Sequence, residues 1–95
     1  MSSRKPQPTH PGEVLREELD ERGITLAKLS RDTRIPLSRV SLLVNGRRPM
    51  TPDTALRLER YLGASAQFWM NLQTAHDLSI AKTSVAVIER EVVPA

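Results

Sequence analysis

Basic side chains are concentrated between Thr25 and Arg48, where six of the fourteen lysines and arginines lie against a single acid, Asp32. The net charge of this window is +5, whereas the whole chain carries +3, so the remainder is net acidic. Segregated positive charge is typical of a surface that binds a polyanion such as nucleic acid. Solvated helix faces would produce the same pattern, and charge alone leaves both interpretations open. The basic residues of the window are Lys28, Arg31, Arg34, Arg39, Arg47 and Arg48.

Other chemistries find little support in the residue types. The chain has no cysteine, which excludes disulfides and thiolate chemistry. Its two histidines, His10 and His76, lie far apart in the sequence without the spaced partners of a metal site. No motif pairs a nucleophile with a base, and no glycine-rich loop is present to bind phosphates. We therefore expect no enzymatic activity, no metal and no cofactor.

Length and composition predict one small domain. Ninety-five residues with a hydrophobic fraction of 39% supply only a small core, so dimerisation is a reasonable source of further burial. No stretch approaches the roughly 20 apolar residues that span a bilayer. The N-terminus lacks the apolar run of a signal peptide. We expect a cytoplasmic protein without a membrane segment.

Cap and stop residues predict three short helices that would position the basic window. The first begins near His10-Pro11 and runs to Arg22, since proline suits a first helical turn. Thr25 caps the second, residues 26–33. Pro36 opens the third, residues 37–44, and Asn45-Gly46 ends it, because both residue types tolerate the left-handed conformation.

Two further helices complete the predicted domain, which covers residues 10–78. Thr51 caps the fourth, with Pro52 in its first turn, and Ser65 caps the fifth, which begins at residue 66. We interpret Phe68 and Trp69 on this fifth helix as core or dimer contacts.

The sequence leads to different predictions for the two ends of the chain. Residues 1–9 are polar and contain two prolines, and we predict a disordered arm. In residues 79–95, Ala81, Val85, Ile88 and Val92 continue a helical period, but the segment is rich in β-branched residues, so helix and strand both stay open. Its apolar positions suit dimer burial, contact with a partner protein or core packing.

The second and third helices, with the basic window centred on them, predict a helix-turn-helix. In that motif the second helix enters the major groove and its first turns meet base edges. Arg39 can bond two acceptors of guanine, and leucines can contact thymine methyl groups. A helical bundle without DNA is the plain alternative. The expected inward residues are Leu29, Ile35, Val40 and Leu43, and the expected base-reading residues are Leu37, Ser38, Arg39 and Leu42.

Several motifs resemble the HigA antitoxins, a subgroup of the lambda-repressor-like helix-turn-helix proteins. The resemblance covers about seventy residues, from "HPGEVLREEL" through "NGRRPMTPDTALRLERYLGASAQFWMNLQTAHDL". It implies an all-α, five-helix domain in a homodimeric repressor that binds double-stranded operator DNA of its own operon. It also implies a partner toxin of the HigB-like, RelE-fold ribonuclease class, which the antitoxin neutralises.

The resemblance also implies roles for individual residues. Leu37, Ser38 and Arg39 fall where the family reads bases, and Thr25, Asn45 and Arg47 fall where it grips backbone phosphates. We add three residues of the basic window to the expected phosphate contacts: Lys28, Arg34 and Arg48.

Three positions depart from the family pattern. Ser30 stands where alanine is common, Arg34 where the inter-helix turn commonly has glycine, and Pro36 where serine or threonine commonly caps the reading helix. Arg34 is therefore expected to adopt a strained turn, or the turn itself differs. Two other functions stay open: a stand-alone regulator of the same fold, and an interaction module whose basic face meets an acidic protein.

Overall fold

Helices make up all the regular secondary structure of residues 9–95, the part of the chain that the computed structural model describes. The all-α, five-helix prediction is confirmed, and a short sixth helix follows a 3-10 turn at Lys82–Ser84. The predicted N-terminal arm lies outside the described residues except for Thr9. The α-helices are α1 (Pro11–Arg22), α2 (Leu26–Thr33), α3 (Leu37–Val44), α4 (Pro52–Leu62), α5 (Ala66–Ala81) and α6 (Val85–Glu91).

Local side chains set most of the helix ends. Thr25, Thr51 and Ser65 each accept a hydrogen bond from the backbone N–H three residues later, which satisfies a donor that the first turn leaves unpaired. Gly23 and Gly63 end α1 and α4 in the left-handed region, at φ 66° and 101°. These caps lie beside the helices they delimit, which is why the sequence predicts the first four helices so closely.

One cluster of buried apolar side chains joins the five helices. It includes all four residues that the helix-turn-helix pattern places inward. Fully burying a leucine or valine side chain contributes roughly 1.5–3 kcal/mol, so this cluster supplies most of what holds α3 in place. Its members are Leu15, Leu19, Leu29, Ile35, Val40, Leu43, Val44, Met50, Ala55, Leu58, Leu62 and Trp69.

The aromatic pair on α5 is divided between core and surface. Trp69 is only 1% exposed and belongs to the core, as the sequence predicts. Phe68, its neighbour, is 41% exposed and packs edge-on against the Trp69 ring at 5.1 Å between centroids. A core role for Phe68 is therefore wrong, while its role as a dimer contact stays a prediction.

Residues beyond α5 contribute nothing to this core. The segment that was open between helix and strand is helical, and α5 itself continues to Ala81. Every side chain from Ala81 onward is exposed, including Val85, Ile88 and Val92 on α6. Core packing is thus excluded as the role of the C-terminal extension, and dimer and toxin contact stay open.

No helix within residues 9–95 is both long enough and apolar enough to cross a lipid bilayer.

Candidate nucleic-acid interface

Helix α3 has one buried face and one exposed face. Val40, Leu43 and Val44 are at most 4% exposed and fix the helix against the core. On the other side Leu37 is 49% exposed and Leu42 38% exposed, Ser38 is exposed and Arg39 is partly exposed. The four residues expected to read bases therefore all reach the surface of α3.

The turn that precedes α3 is held by hydrogen bonds to its backbone. The Ser30 hydroxyl donates to the Ile35 carbonyl at 2.6 Å, a bond that alanine could not make. The Thr33 hydroxyl accepts from the Ile35 N–H at 3.3 Å. Arg57 on α4 donates to the Thr33 carbonyl at 2.9 Å and, through Nε, to Asp53 on its own helix. These bonds fix the angle between α2 and α3.

Arg34 lies at the centre of this turn in a left-handed conformation. Its φ is 63°, and it is the only non-glycine with positive φ among residues 9–95. The strained turn expected from an arginine at this position is therefore confirmed, at a cost of roughly 1–2 kcal/mol. Pro36 precedes α3 without a side-chain cap, also as expected. Arg34 itself is exposed, with its backbone N–H bonded to the Ser30 carbonyl at 2.9 Å.

The N-terminus of α2 supplies a first group of expected phosphate contacts. The Thr25 oxygen accepts from the Lys28 N–H at 3.1 Å, so its hydroxyl hydrogen can still be donated. Lys28 extends its ammonium to Asp32 at 2.8 Å, and the Tyr61 hydroxyl donates to the same carboxylate at 2.7 Å. The hydrogen bond from Lys28, followed by that from Tyr61, lowers the pKa of Asp32, and the bond to Asp32 raises the pKa of Lys28. An exposed pair of this kind is weak, and a phosphate can compete for the lysine.

Residues 45–50, here called the arginine loop, supply the second group. Gly46 takes the left-handed conformation at φ 74°, whereas Asn45 does not, with φ −94°. The Asn45 amide donates to the Ser41 carbonyl at 2.9 Å and keeps a second N–H for another acceptor. Arg47 and Arg48 are exposed, and neither lies within 4 Å of a carboxylate in the described part of the chain.

Two contacts that the sequence did not reveal anchor the arginine loop from behind. Buried Gln73 on α5 accepts from the Met50 N–H at 2.6 Å and donates to Asp77 at 2.9 Å. His10, which is 7% exposed, accepts from the Gly12 N–H through Nδ1 at 2.8 Å and lies against the loop, where its Cγ is 3.9 Å from the position that a Cβ on Gly46 would occupy. Burial, and then the nearby His76, lower the pKa of His10. Met50 and Gln73 are 23 residues apart and His10 and Gly46 are 36 residues apart, beyond the reach of local pattern analysis.

Gly12 allows α1 to approach α3 closely. A Cβ atom at this position would lie 1.8 Å from the carbonyl oxygen of Leu43 in the last turn of α3. The sequence does carry a signal here, because glycine inside a helix costs about 1 kcal/mol relative to alanine and needs a packing reason. This contact and the two anchors locate the C-terminal end of α3 and the arginine loop together.

Residues 9–95 bring together no group of three or more histidine, aspartate or glutamate side chains that could hold a metal ion. His10 and His76 do meet, edge to face, with 4.9 Å between ring centroids.

The fold and the arrangement of these side chains define a helix-turn-helix protein, and residues 15–69 match the Helix-turn-helix family. Virulence-associated protein I of Dichelobacter nodosus is 46% identical over 83 residues, which cover 83% of this chain and 77% of that protein. The addiction module antidote protein of the HigA family from Coxiella burnetii is 44% identical, with a TM-score of 0.86 over 94% of this chain and 99% of that one.

Pseudomonas aeruginosa antitoxin HigA, in a structure with the higBA promoter, is 42% identical, with a TM-score of 0.86 over 93% of this chain and 98% of that one. The chain belongs to the HigA family of helix-turn-helix proteins.

Proposed function

We propose that the protein is a sequence-specific DNA-binding autorepressor and the antitoxin of a type II toxin–antitoxin pair. The observation that carries the DNA-binding part is the setting of α3. Its outer face is exposed, its inner face is locked in the core, and hydrogen-bond donors on the α2 N-terminus and the arginine loop flank it. The similar antitoxin from Pseudomonas aeruginosa, studied with the higBA promoter, supports the same assignment.

In this proposal, the exposed residues of α3 read base edges. Arg39 pairs with guanine, Ser38 makes a hydrogen bond, and Leu37 and Leu42 contact thymine methyl groups. Replacing Arg39 with alanine is expected to cost about 1–3 kcal/mol of operator binding and to reduce specificity. Fluorescence anisotropy measures both the affinity for the DNA upstream of the gene and the specificity, which is the ratio of that affinity to the affinity for a scrambled duplex. Equal losses on the two duplexes would contradict a base-reading role.

The phosphate contacts would come from two groups of residues, one on each side of α3. Thr25, Lys28 and Arg34 belong to α2 and the turn, and Asn45, Arg47 and Arg48 belong to the arginine loop. Such contacts release counterions, so the affinity of the wild-type protein should fall steeply as salt is raised. An affinity that does not change with salt would count against this arrangement.

We further propose that the functional unit is a homodimer. The apolar side chains of α6 have no covering partner within residues 9–95, and an isolated helix of seven residues is not stable in water by itself. Two-fold symmetry would place the two α3 helices about 34 Å apart, one turn of DNA. Light scattering of the whole chain and of a chain ending at Ala81 tests this: we expect a dimer and a monomer, respectively, and two monomers would contradict it.

The toxin partner is proposed from family membership. The expected partner is a HigB-like ribonuclease of the RelE fold, which the antitoxin would bind and neutralise. We expect a small toxin to be encoded beside this gene. Co-expressing the antitoxin with it should restore the growth that the toxin stops, and the two proteins should co-purify as a complex. If the protein binds operator DNA but no toxin gene lies beside its own gene, the alternative is favoured: a stand-alone regulator of the same fold. Failure to bind any upstream DNA at low salt would favour an interaction module.

A further inference from the structure

Gln73 is a buried polar side chain on α5 that joins this helix to the arginine loop. It is 6% exposed, and both polar atoms of its amide are hydrogen-bonded. Oε1 accepts from the Met50 N–H at 2.6 Å, and Nε2 donates to the Asp77 carboxylate at 2.9 Å. Met50 is the last residue of the loop, and Asp77 lies one turn further along α5.

The two partners of Gln73 fix the orientation of its amide. A backbone N–H can only donate, and a carboxylate can only accept. If the amide turned over, its NH2 group would face the Met50 N–H, and its oxygen would face the Asp77 carboxylate. Asp77 therefore holds the Gln73 oxygen toward the loop.

The arginine loop is bonded to α3 at one point and to α5 at another. The Arg47 N–H donates to the Leu42 carbonyl on α3 at 2.8 Å. Three residues further on, the Met50 N–H donates to Gln73 on α5. Arg48, which is exposed, lies between these two points. Its position therefore depends on the bond to Gln73, whereas the backbone of Arg47 is attached to α3 directly.

We propose that Gln73 is a positioning residue for DNA binding: supported by Asp77, it places Arg48 where the guanidinium contacts a backbone phosphate. This inference rests on the proposed phosphate contact of Arg48. A side chain that is held in place before binding loses less conformational freedom when it binds. Without Gln73, the buried Met50 N–H would lack an acceptor, and the loop would have to shift until water reached it.

The effect of Gln73 should be confined to the part of DNA binding that does not depend on sequence. The residues expected to read bases lie on α3, whose inner side chains are packed in the core and take no part in the bond between Gln73 and Met50. Phosphate contacts carry no sequence information directly. A loop that has lost its support should therefore weaken binding to any duplex by the same factor.

Gln73→Met tests the positioning by removing the amide while keeping a side chain of similar length. We expect binding to the upstream and the scrambled duplex to weaken alike, by about three- to tenfold, of the order of a single lost interaction. The salt dependence should become shallower. Gln67→Met is the matched control, because the Gln67 amide also donates to the residue four positions on, Asn71, but this pair is exposed. Equal affinities for the two variants, each verified as folded by circular dichroism, would overturn the proposal.

Hydrogen exchange of the Met50 amide tests the bond in the protein without DNA. The amide should be protected in the wild type and in Gln67→Met, and it should exchange faster in Gln73→Met, since its acceptor is gone. A Met50 amide that stays equally protected in Gln73→Met would show that the loop does not depend on Gln73.

An exchange of charge tests the part of Asp77. Gln73→Glu keeps an acceptor for the Met50 N–H but sets a second carboxylate against Asp77, so DNA binding should weaken. Adding Asp77→Asn restores the net charge of the wild type and lets the new amide donate to the new carboxylate. We expect the double variant to recover most of the lost affinity and the protection of the Met50 amide. A double variant no better than Gln73→Glu in both measurements would contradict the support from Asp77.

A double-mutant cycle with Arg48→Ala shows whether Gln73 acts through Arg48. If it does, Gln73→Met should cause no further loss of affinity once Arg48→Ala has been made. Losses that add in the double variant, while Arg48→Ala alone weakens binding, would contradict the positioning and leave the phosphate contact standing. If Arg48→Ala alone changes neither the affinity nor the salt dependence, the phosphate contact itself is contradicted, and this inference with it.

Discussion

The two ends of α3 are held in different ways. At its N-terminal end, the turn at residues 33–36 is strained at Arg34 and fixed by short-range hydrogen bonds of Ser30 and Thr33, with Arg57 as a distant support. At its C-terminal end, the arginine loop lies against His10 and is hydrogen-bonded to Gln73, both distant in the sequence. The comparison teaches that the angle of the reading helix is set largely by residues close to it in the sequence. The orientation of the arginine loop, in contrast, depends on contacts with residues distant in the sequence.

Gly12→Ala should break the C-terminal side of this comparison and have the largest effect. The new Cβ would meet the Leu43 carbonyl, a backbone atom that cannot move without α3. We expect a loss of about 3 kcal/mol in the free energy of unfolding, measured by urea denaturation. Gly23→Ala is the matched control, because its Cβ would meet nothing within 4 Å and only the left-handed φ is strained. A smaller loss for Gly12→Ala than for the control would contradict the close approach of α1 and α3.

Arg57→Ala tests the distant support at the N-terminal end. It removes the bond to the Thr33 carbonyl as well as the exposed pair with Asp53, and should cost about 1–2 kcal/mol in unfolding free energy. Arg60→Ala removes the same charge from the same helix but no hydrogen bond to the turn, so it should cost under about 0.5 kcal/mol. Equal losses in thermal denaturation would mean that Arg57 does not support the turn.

Arg34→Gly should sharpen the comparison with a small effect of opposite sign. Glycine adopts positive φ without a Cβ penalty, so we expect stability to rise by about 0.5–1 kcal/mol. Arg34→Ala keeps the strain and removes the same charge, and should not stabilise the protein. Calorimetry that finds the two variants equally stable would show that the turn is not strained. Both variants should bind DNA less tightly if Arg34 contacts a phosphate.

The sequence predicts those parts of the fold whose causes are local. Thr25, Thr51 and Ser65 mark helix starts because their side chains bond the adjacent backbone. Which stripe of α5 faces inward depends on how the helix packs against the others. For this reason the sequence does not distinguish the buried Trp69 from the exposed Phe68. The β-branched C-terminal extension carried no local signal strong enough to choose between helix and strand.

For the candidate site, the sequence shows which residues are basic and predicts which face of α3 is exposed. It does not predict what fixes them. The hydrogen bonds from the Met50 N–H to Gln73 and from Arg57 to the Thr33 carbonyl join residues 23 and 24 positions apart, and no periodicity encodes them. The roles of the individual residues toward bases and phosphates stay predictions.

The most direct test of the account compares Arg39→Ala with Arg47→Ala in salt titrations on the upstream duplex and on a scrambled one. If α3 reads bases and the loop contacts phosphates, Arg39→Ala should lower the preference for the upstream sequence, while Arg47→Ala weakens both duplexes alike and makes the salt dependence shallower by about one counterion. The contradictory result is the reverse: a preference unchanged by Arg39→Ala together with a salt dependence unchanged by Arg47→Ala.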